Sequence, residues 1–244
     1  MPYNHFNCVS EATSYTMRLP KAEIELVIND PSTLVIDAWD TPATRYPLEK
    51  VGRAKITRSP LRKDIYLMEG VRGYAKYYVK KPIPVTSLKI GRETVMIDDP
   101  LQWCGMQDLA RHCRGKVMIG GLGMGLILHA LQDNRDVTEI HIIENNFDVI
   151  GLMCDNLPPR DKIKWQIIPA DVYQYLDYRA KCQKYDTVVL DIWWGRGSLQ
   201  IAMEMMVATA KTKYALPDAK LMIWGHRDPE INPAVTKEGK GSES

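Results

Sequence analysis

Lys116–Gly125 reads KVMIGGLGMG, an apolar run that breaks into four glycines within six residues. A tight turn asks for one or two glycines, so a backbone this bare either lets something bound approach the main chain or allows tight strand–helix packing. Upstream, Asp99-Pro100 has the form of a helix N-cap followed by proline at the first helical position, and Gly115 stops that helix just before the strand VMIG. Downstream, helices and strands alternate: helix 126–131, strand EIHIIE, helix 147–156 ended by Pro158-Pro159, strand KWQIIPA, helix 172–179, strand TVVLD, helix 199–213 and strand KLMIWG. That rhythm predicts right-handed crossovers and a doubly wound α/β domain around five parallel strands.

The first hundred residues follow a different pattern. Short β-rich runs (AEIELVI, STLVIDAW, DIYLMEG, YAKYYVKK and VTSLKIGRETVMI) are separated by turn-formers such as Asn29-Asp30-Pro31 and Ser59-Pro60. They predict a meander or small barrel of antiparallel strands, the last run forming a hairpin around Gly91-Arg92. The expected division is a β-rich domain over 1–98, the α/β domain over 99–230 and a polar tail over 231–244.

Composition narrows the class of function. Hydrophobic residues at 45% and charged residues at 25% suit a soluble globular protein, and a net charge of +2 is too small to argue for nucleic acid or acidic membranes. No apolar run approaches the roughly 20 residues of a membrane helix, and no basic-then-apolar leader opens the chain, so no membrane partner is expected. Cys8, Cys104, Cys113, Cys154 and Cys182 are odd in number and never closer than nine apart, which argues against zinc or any metal site and against a disulfide framework. A reducing, cytoplasmic setting is expected.

In a parallel α/β sheet, ligands bind at the carboxyl ends of the strands near the point where strand order reverses. Gly120, Gly121, Gly123 and Gly125 fall there. Glu144 ends the second strand, twenty-one residues after Gly123, where a carboxylate accepts from both hydroxyls of a ribose. Asp171 ends the third strand, placed either to accept from an adenine amine or only to cap the next helix. Together these suggest an adenosine-containing ligand. The dinucleotide fingerprint has Leu126 where its last glycine belongs, and a P-loop is excluded because no Gly-Lys-Ser/Thr follows.

The G-x-G-x-G of Gly121, Gly123 and Gly125, with Glu144 and Asp171, resembles the class I S-adenosylmethionine-dependent methyltransferases, whose domain is Rossmann-like. GKVMIGGLGMG, EIHIIENNFDVI and YDTVVLD look closest to the spermidine synthase-like branch, in which a β-rich N-terminal domain is also expected. The resemblance covers roughly 96–225. It implies a glycine loop (Gly120, Gly121, Gly123, Gly125) against the methionine part of S-adenosylmethionine, Glu144 at the ribose and Asp171 at the adenine. It also implies Asp191 as the carboxylate that acts as base. The branch runs Asp-Ser-Ser-Asp at that place, whereas this chain has Asp191-Ile192-Trp193-Trp194, and the glycine loop lacks the branch's aspartate. Both departures count against aminopropyl transfer from decarboxylated S-adenosylmethionine, because a cationic amine needs carboxylates to replace its water.

DIWW also partly matches the Asp/Asn-Pro-Pro-aromatic sequence of amino-methyltransferases, keeping Asp191 and Trp194 but neither proline. Trp193 and Trp194 are therefore divided between substrate contact and lining of the core or pocket. Asp98, Asp99 and Gln102 precede the first parallel strand where the family often touches its ligands. His129, His226 and Arg227 are weaker candidates. KYYVKK over 76–81 reads as an amphipathic strand rather than a nucleic-acid grip, and Met203, Met205 and Met206 as residues packing a helix onto the sheet. Nineteen residues follow Gly225, so the sheet is expected to stop at five strands without the family's usual final hairpin, its edge covered by the N-terminal strands or by a second copy, a homodimer. The expectation is a methyltransferase acting on an acceptor, small or macromolecular, that the sequence leaves open, nucleic acid included. The alternatives are a spermidine synthase-like aminopropyltransferase and a non-catalytic protein that keeps the fold.

Overall fold

β9 (Gly115–Gly120) carries Val117, Met118 and Ile119, all buried, and such a run is stable only in a strand covered on both faces. The computed structural model describes residues 14–16, 25, 29, 33–69, 74–193 and 199–225. β9 lies at the centre of a five-stranded, all-parallel sheet with β10 (Val137–Glu144), β11 (Lys164–Pro169), β12 (Thr187–Leu190) and β13 (Lys220–Ile223), in the order β11-β10-β9-β12-β13. Apart from a register shift between Val137 and Glu139 of β10, the strands pair in step, with Ile119 opposite Ile142 on one side and Val189 on the other.

Side chains alternate along each strand, so the sheet presents two apolar faces. Val117, Ile119, Ile140, Ile142, Val189 and Met222 share a core with α1 (Pro100–Arg111), α2 (Leu126–Leu131) and α3 (Phe147–Met153). Met118, Ile143, Val188, Leu190 and Ile223 face α4 (Val172–Tyr178) and α5 (Leu199–Ala215). This is a Rossmann-like α/β arrangement. Asp99 caps α1 by accepting from the Gln102 amide at 2.9 Å.

Two four-stranded sheets precede it. β3 (Lys50–Val51), β4 (Ala54–Leu61), β7 (Ile83–Ile90) and β8 (Glu93–Ile97) form an antiparallel sheet in that order, with the β7–β8 hairpin turning at Gly91-Arg92. Ala54, Ile56 and Leu88 join the same apolar cluster as α1 to α3. The other sheet orders as β1 (Ser14–Thr16), β5 (Asp64–Glu69), β6 (Tyr74–Val79) and β2 (Leu34–Ile36).

Three expectations change. Ser59-Pro60 is no turn but part of β4, with Pro60 opposite Pro84; β3 ends well short of Pro60, so its missing N–H faces no partner strand. The strands are not all antiparallel, because β2 joins β6 in parallel. Of the three α5 methionines only Met205 packs toward the sheet, whereas Met203 and Met206 are 58% and 69% exposed. Trp194, His226, Arg227, the tail 231–244 and, apart from Glu25, the AEIELVI run lie outside the described residues. Among the described residues no helix is long and apolar enough to cross a membrane, and no group of three or more His, Cys, Asp or Glu is placed to hold a metal ion.

Candidate functional site

The strand ends set the site. Gly121 N–H donates to the Ile143 carbonyl at 2.9 Å, Asp191 N–H to the Gly120 carbonyl at 2.9 Å, and Ala170 N–H to the Glu144 carbonyl at 3.1 Å. These bonds carry the ladder one residue past β9, β11 and β12 and align four carboxyl ends. A cavity of about 240 Å³ opens there. Gly121, Gly123, Glu144, Asp171, Asp191 and Trp193 all line it. Gly120 instead ends β9, and Gly125 precedes α2 in a left-handed conformation.

Two glycines have specific reasons to be bare. Gly121 has φ +91°, and a Cβ there would run into the Asp191 carbonyl. Gly123 has φ +51°, and its Cβ would lie 2.6 and 2.8 Å from Cε and Sδ of Met96. Met96, from β8, lies over the loop and accepts from the Met124 amide at 3.2 Å. The Tyr46 hydroxyl holds the same turn by donating to the Met124 carbonyl at 2.9 Å. The bare backbone is thus shared between the cavity and the protein's own neighbouring atoms.

Glu144 is fixed by two backbone donors, Leu122 N–H to Oε2 at 2.9 Å and Asn146 N–H to Oε1 at 2.7 Å. Each oxygen keeps a second lone pair. Asp171 caps α4, its Oδ1 accepting from Gln174 N–H at 3.0 Å, while Oδ2 has no hydrogen bond among the described residues. Both readings of Asp171 therefore stay compatible with one side chain.

Among the carboxylates that line the cavity, Asp191 is the exceptional one. Enclosure by protein raises its pKa from 3.8 to about 7, opposed only by the Gln102 amide, whose Nε2 lies 3.4 Å from Oδ2. An acid that titrates near neutrality can take and return protons at physiological pH. Trp193 packs against the α4–α5 core, and its Nε1 is buried with no partner of hydrogen-bonding geometry. Tyr173 lines the cavity beside it; burial raises its pKa, the charge of Glu204 adds to this, and the Trp193 indole opposes it.

The remaining candidates separate. Asp98 is fully buried, bound by the Thr41 hydroxyl and Thr86 amide at 2.5 Å each, and desolvation raises its pKa to about 7 despite them. Asp98 and Asp99 do not line the cavity, and Gln102 reaches it through Asp191 alone. The His129 ring Nε2 contacts the Asn156 carbonyl at 3.0 Å, and burial lowers its pKa. KYYVKK behaves as an amphipathic strand end: Tyr77 and Val79 are buried, and exposed Lys80 pairs with Asp37 at 3.0 Å.

Sequence reasoning missed the far wall, made by Leu88, Ile90, Val95 and Met96 of the β7–β8 hairpin. Alternating apolar residues on both strands of that hairpin were the available signal, but nothing local said which face they would cover. No protein-family model matches this chain, and a search of curated proteins found no match either.

Proposed function

We propose that the cavity binds S-adenosylmethionine and that the protein transfers its methyl group to an acceptor positioned by Asp191. The observation that carries this reading is the convergence of Gly121, Gly123, Glu144, Asp171 and Asp191, from four strand ends, on one cavity. When bound, the cofactor supplies an electrophilic methyl on a sulfonium, and the protein's part is alignment and exclusion of water. Gly121 and Gly123 leave room for the amino-acid arm. Glu144, already oriented by two amides, receives the ribose hydroxyls on its free lone pairs, and Asp171 Oδ2 accepts from the adenine amine. Asp191, titrating near 7, removes the proton the acceptor sheds. The β7–β8 hairpin, as part of a β-rich N-terminal domain, closes the site from above.

The cavity volume lies just under the roughly 300 Å³ at which ligand sites begin. Met96, an unbranched and adaptable side chain, is the group that moves off Gly123 to enlarge it. Titration calorimetry with S-adenosylmethionine tests the reading: saturable binding that Glu144→Ala and Asp171→Ala both weaken is expected. Undiminished binding by both variants would assign the ligand to another place.

Aminopropyl transfer fits less well, because among the described residues Glu144, Asp171 and Asp191 are the only carboxylates lining the cavity, and all three already have roles. Methylthioadenosine formed from decarboxylated S-adenosylmethionine and putrescine would reverse that preference. A binding protein without turnover is the reading favoured by Met96 resting on the loop. It predicts bound S-adenosylmethionine that stays chemically intact with every amine, carboxylate, thiol or nucleic-acid acceptor offered.

A further inference from the structure

Among the described residues, a broad exposed apolar face lies on α5, beside a groove that meets the cavity at Tyr173. Met203, Met206, Val207 and Tyr214 are 58%, 69%, 50% and 79% exposed, and Ala202 and Ala210 are exposed with them. At 100° per residue these six share one broad face, with the exposed Lys213 at one edge of it, opposite the buried Ala208, Thr212 and Ala215. A helix on a protein surface normally turns charged groups outward, and a broad exposed apolar face marks a surface that another protein surface covers. Along one side of the face runs a groove of about 800 Å³ between α4 and α5, floored by Tyr173, Met203 and Val207 and flanked by Glu204 and Lys211.

We propose that this face is a symmetric interface with a second copy of the chain. The choice of occupant follows from charge. A two-fold axis crossing α5 near Val207 sets the two helices antiparallel, with each flank against the same flank of the other copy. Glu204 and Lys211 lie on one flank, seven residues and two turns apart, and are placed evenly about that axis. Glu204 of each copy therefore meets the partner's Lys211, and the contact is made twice. Both groups are already held in place: Lys211 Nζ bonds both oxygens of Asp177 at 2.7 Å, and Glu204 accepts from Gln200 at 2.9 Å. A uniformly acidic or basic partner would set a like charge against Glu204 or against Lys211, whereas a second copy sets opposite charges against each other at both positions. The apolar stripe is likewise self-complementary, Val207 meeting its own copy at the axis and Met203 of one helix lying level with Ala210 and Tyr214 of the other.

Sedimentation equilibrium or light scattering of the full chain tests this without any ligand, so its outcome is independent of the cofactor reading. The wild type is expected at twice the 27.8 kDa chain mass at micromolar concentrations, and Val207→Asp at the single mass with an unchanged circular dichroism spectrum. Glu204→Lys and Lys211→Glu are each expected to be monomeric alone, because each sets like charges at positions 204 and 211 against one another across the axis. Mixed in equal amounts they should form a heterodimer, since every contact is again between opposite charges. A wild type at the single-chain mass throughout would overturn the interface. So would a Val207→Asp dimer, or a mixture as monomeric as its components.

Discussion

Replacing Asp191 with asparagine isolates what it costs to keep a carboxylate in the cavity wall. Enclosure moves its pKa from 3.8 to about 7, and the Gln102 amide at 3.4 Å offsets only part of that penalty. A rise of about three units corresponds to roughly 4 kcal/mol. Screening by water on the cavity side reduces this to about 2–4 kcal/mol. The folded protein holds a proton that the unfolded chain has already released. Stability is therefore greatest below the unfolded pKa, falls between about pH 4 and 7, and stays lower above that. Asparagine has no charge to desolvate and keeps an oxygen for Gln102. Urea unfolding followed by circular dichroism should find Asp191→Asn more stable than wild type by about 2–4 kcal/mol near pH 8, the gap closing near pH 4. Asp98, which titrates in the same range, is present in both proteins and cancels in the difference. A variant no more stable than wild type near pH 8 would refute the reasoning, since the carboxylate would then be carried at no cost and need no function to explain it.

Gly121→Ala should destabilise by roughly 3 kcal/mol or more, read as a fall in thermal midpoint, because φ +91° and the Asp191 carbonyl both oppose a Cβ. A neutral substitution would mean the loop is loosely held. Met96→Ala, which clears the space above Gly123, is expected to tighten S-adenosylmethionine several-fold in calorimetry; weaker binding would make Met96 a ligand contact instead. His141 lies between Tyr185 at 2.6 Å and Glu139 at 2.7 Å, and burial lowers its pKa. The unfolded chain thus takes up the proton first, and stability should be lost as pH falls below about 6.5. His141→Gln should flatten that acid limb in a pH series of melts and lower stability at pH 8 by about 1–3 kcal/mol; an unchanged acid limb would shift the effect to other groups.

The parallel half of the fold was legible because each boundary is written in local chemistry. Asp99-Pro100 starts α1, Gly115 adopts φ +61° to end the turn before β9, and Pro158-Pro159 bars continuation beyond Asn156. The glycine loop, Glu144, Asp171 and Asp191 were legible for the same reason, since strand ends follow once the strands are placed. The β-rich half was less so. Pro60 looks like a breaker until β3 is seen to stop at Val51, and the β2–β6 pairing depends on two segments some forty residues apart. Met203 and Met206 were misread because period 3.6 separates two faces of a helix without saying whether the second is covered. Met96 and the hairpin wall are tertiary facts, and no spacing within KVMIGGLGMG announces the thioether lying over it.

A crystal of the protein soaked with S-adenosylhomocysteine is the most direct measurement. The account predicts density within the cavity, with ribose oxygens at hydrogen-bond distance from Glu144, the adenine edge at Asp171 and Met96 swung away from Gly123. Crystals in which Met96 keeps its place over the loop at saturating ligand, with density elsewhere or nowhere, would contradict it.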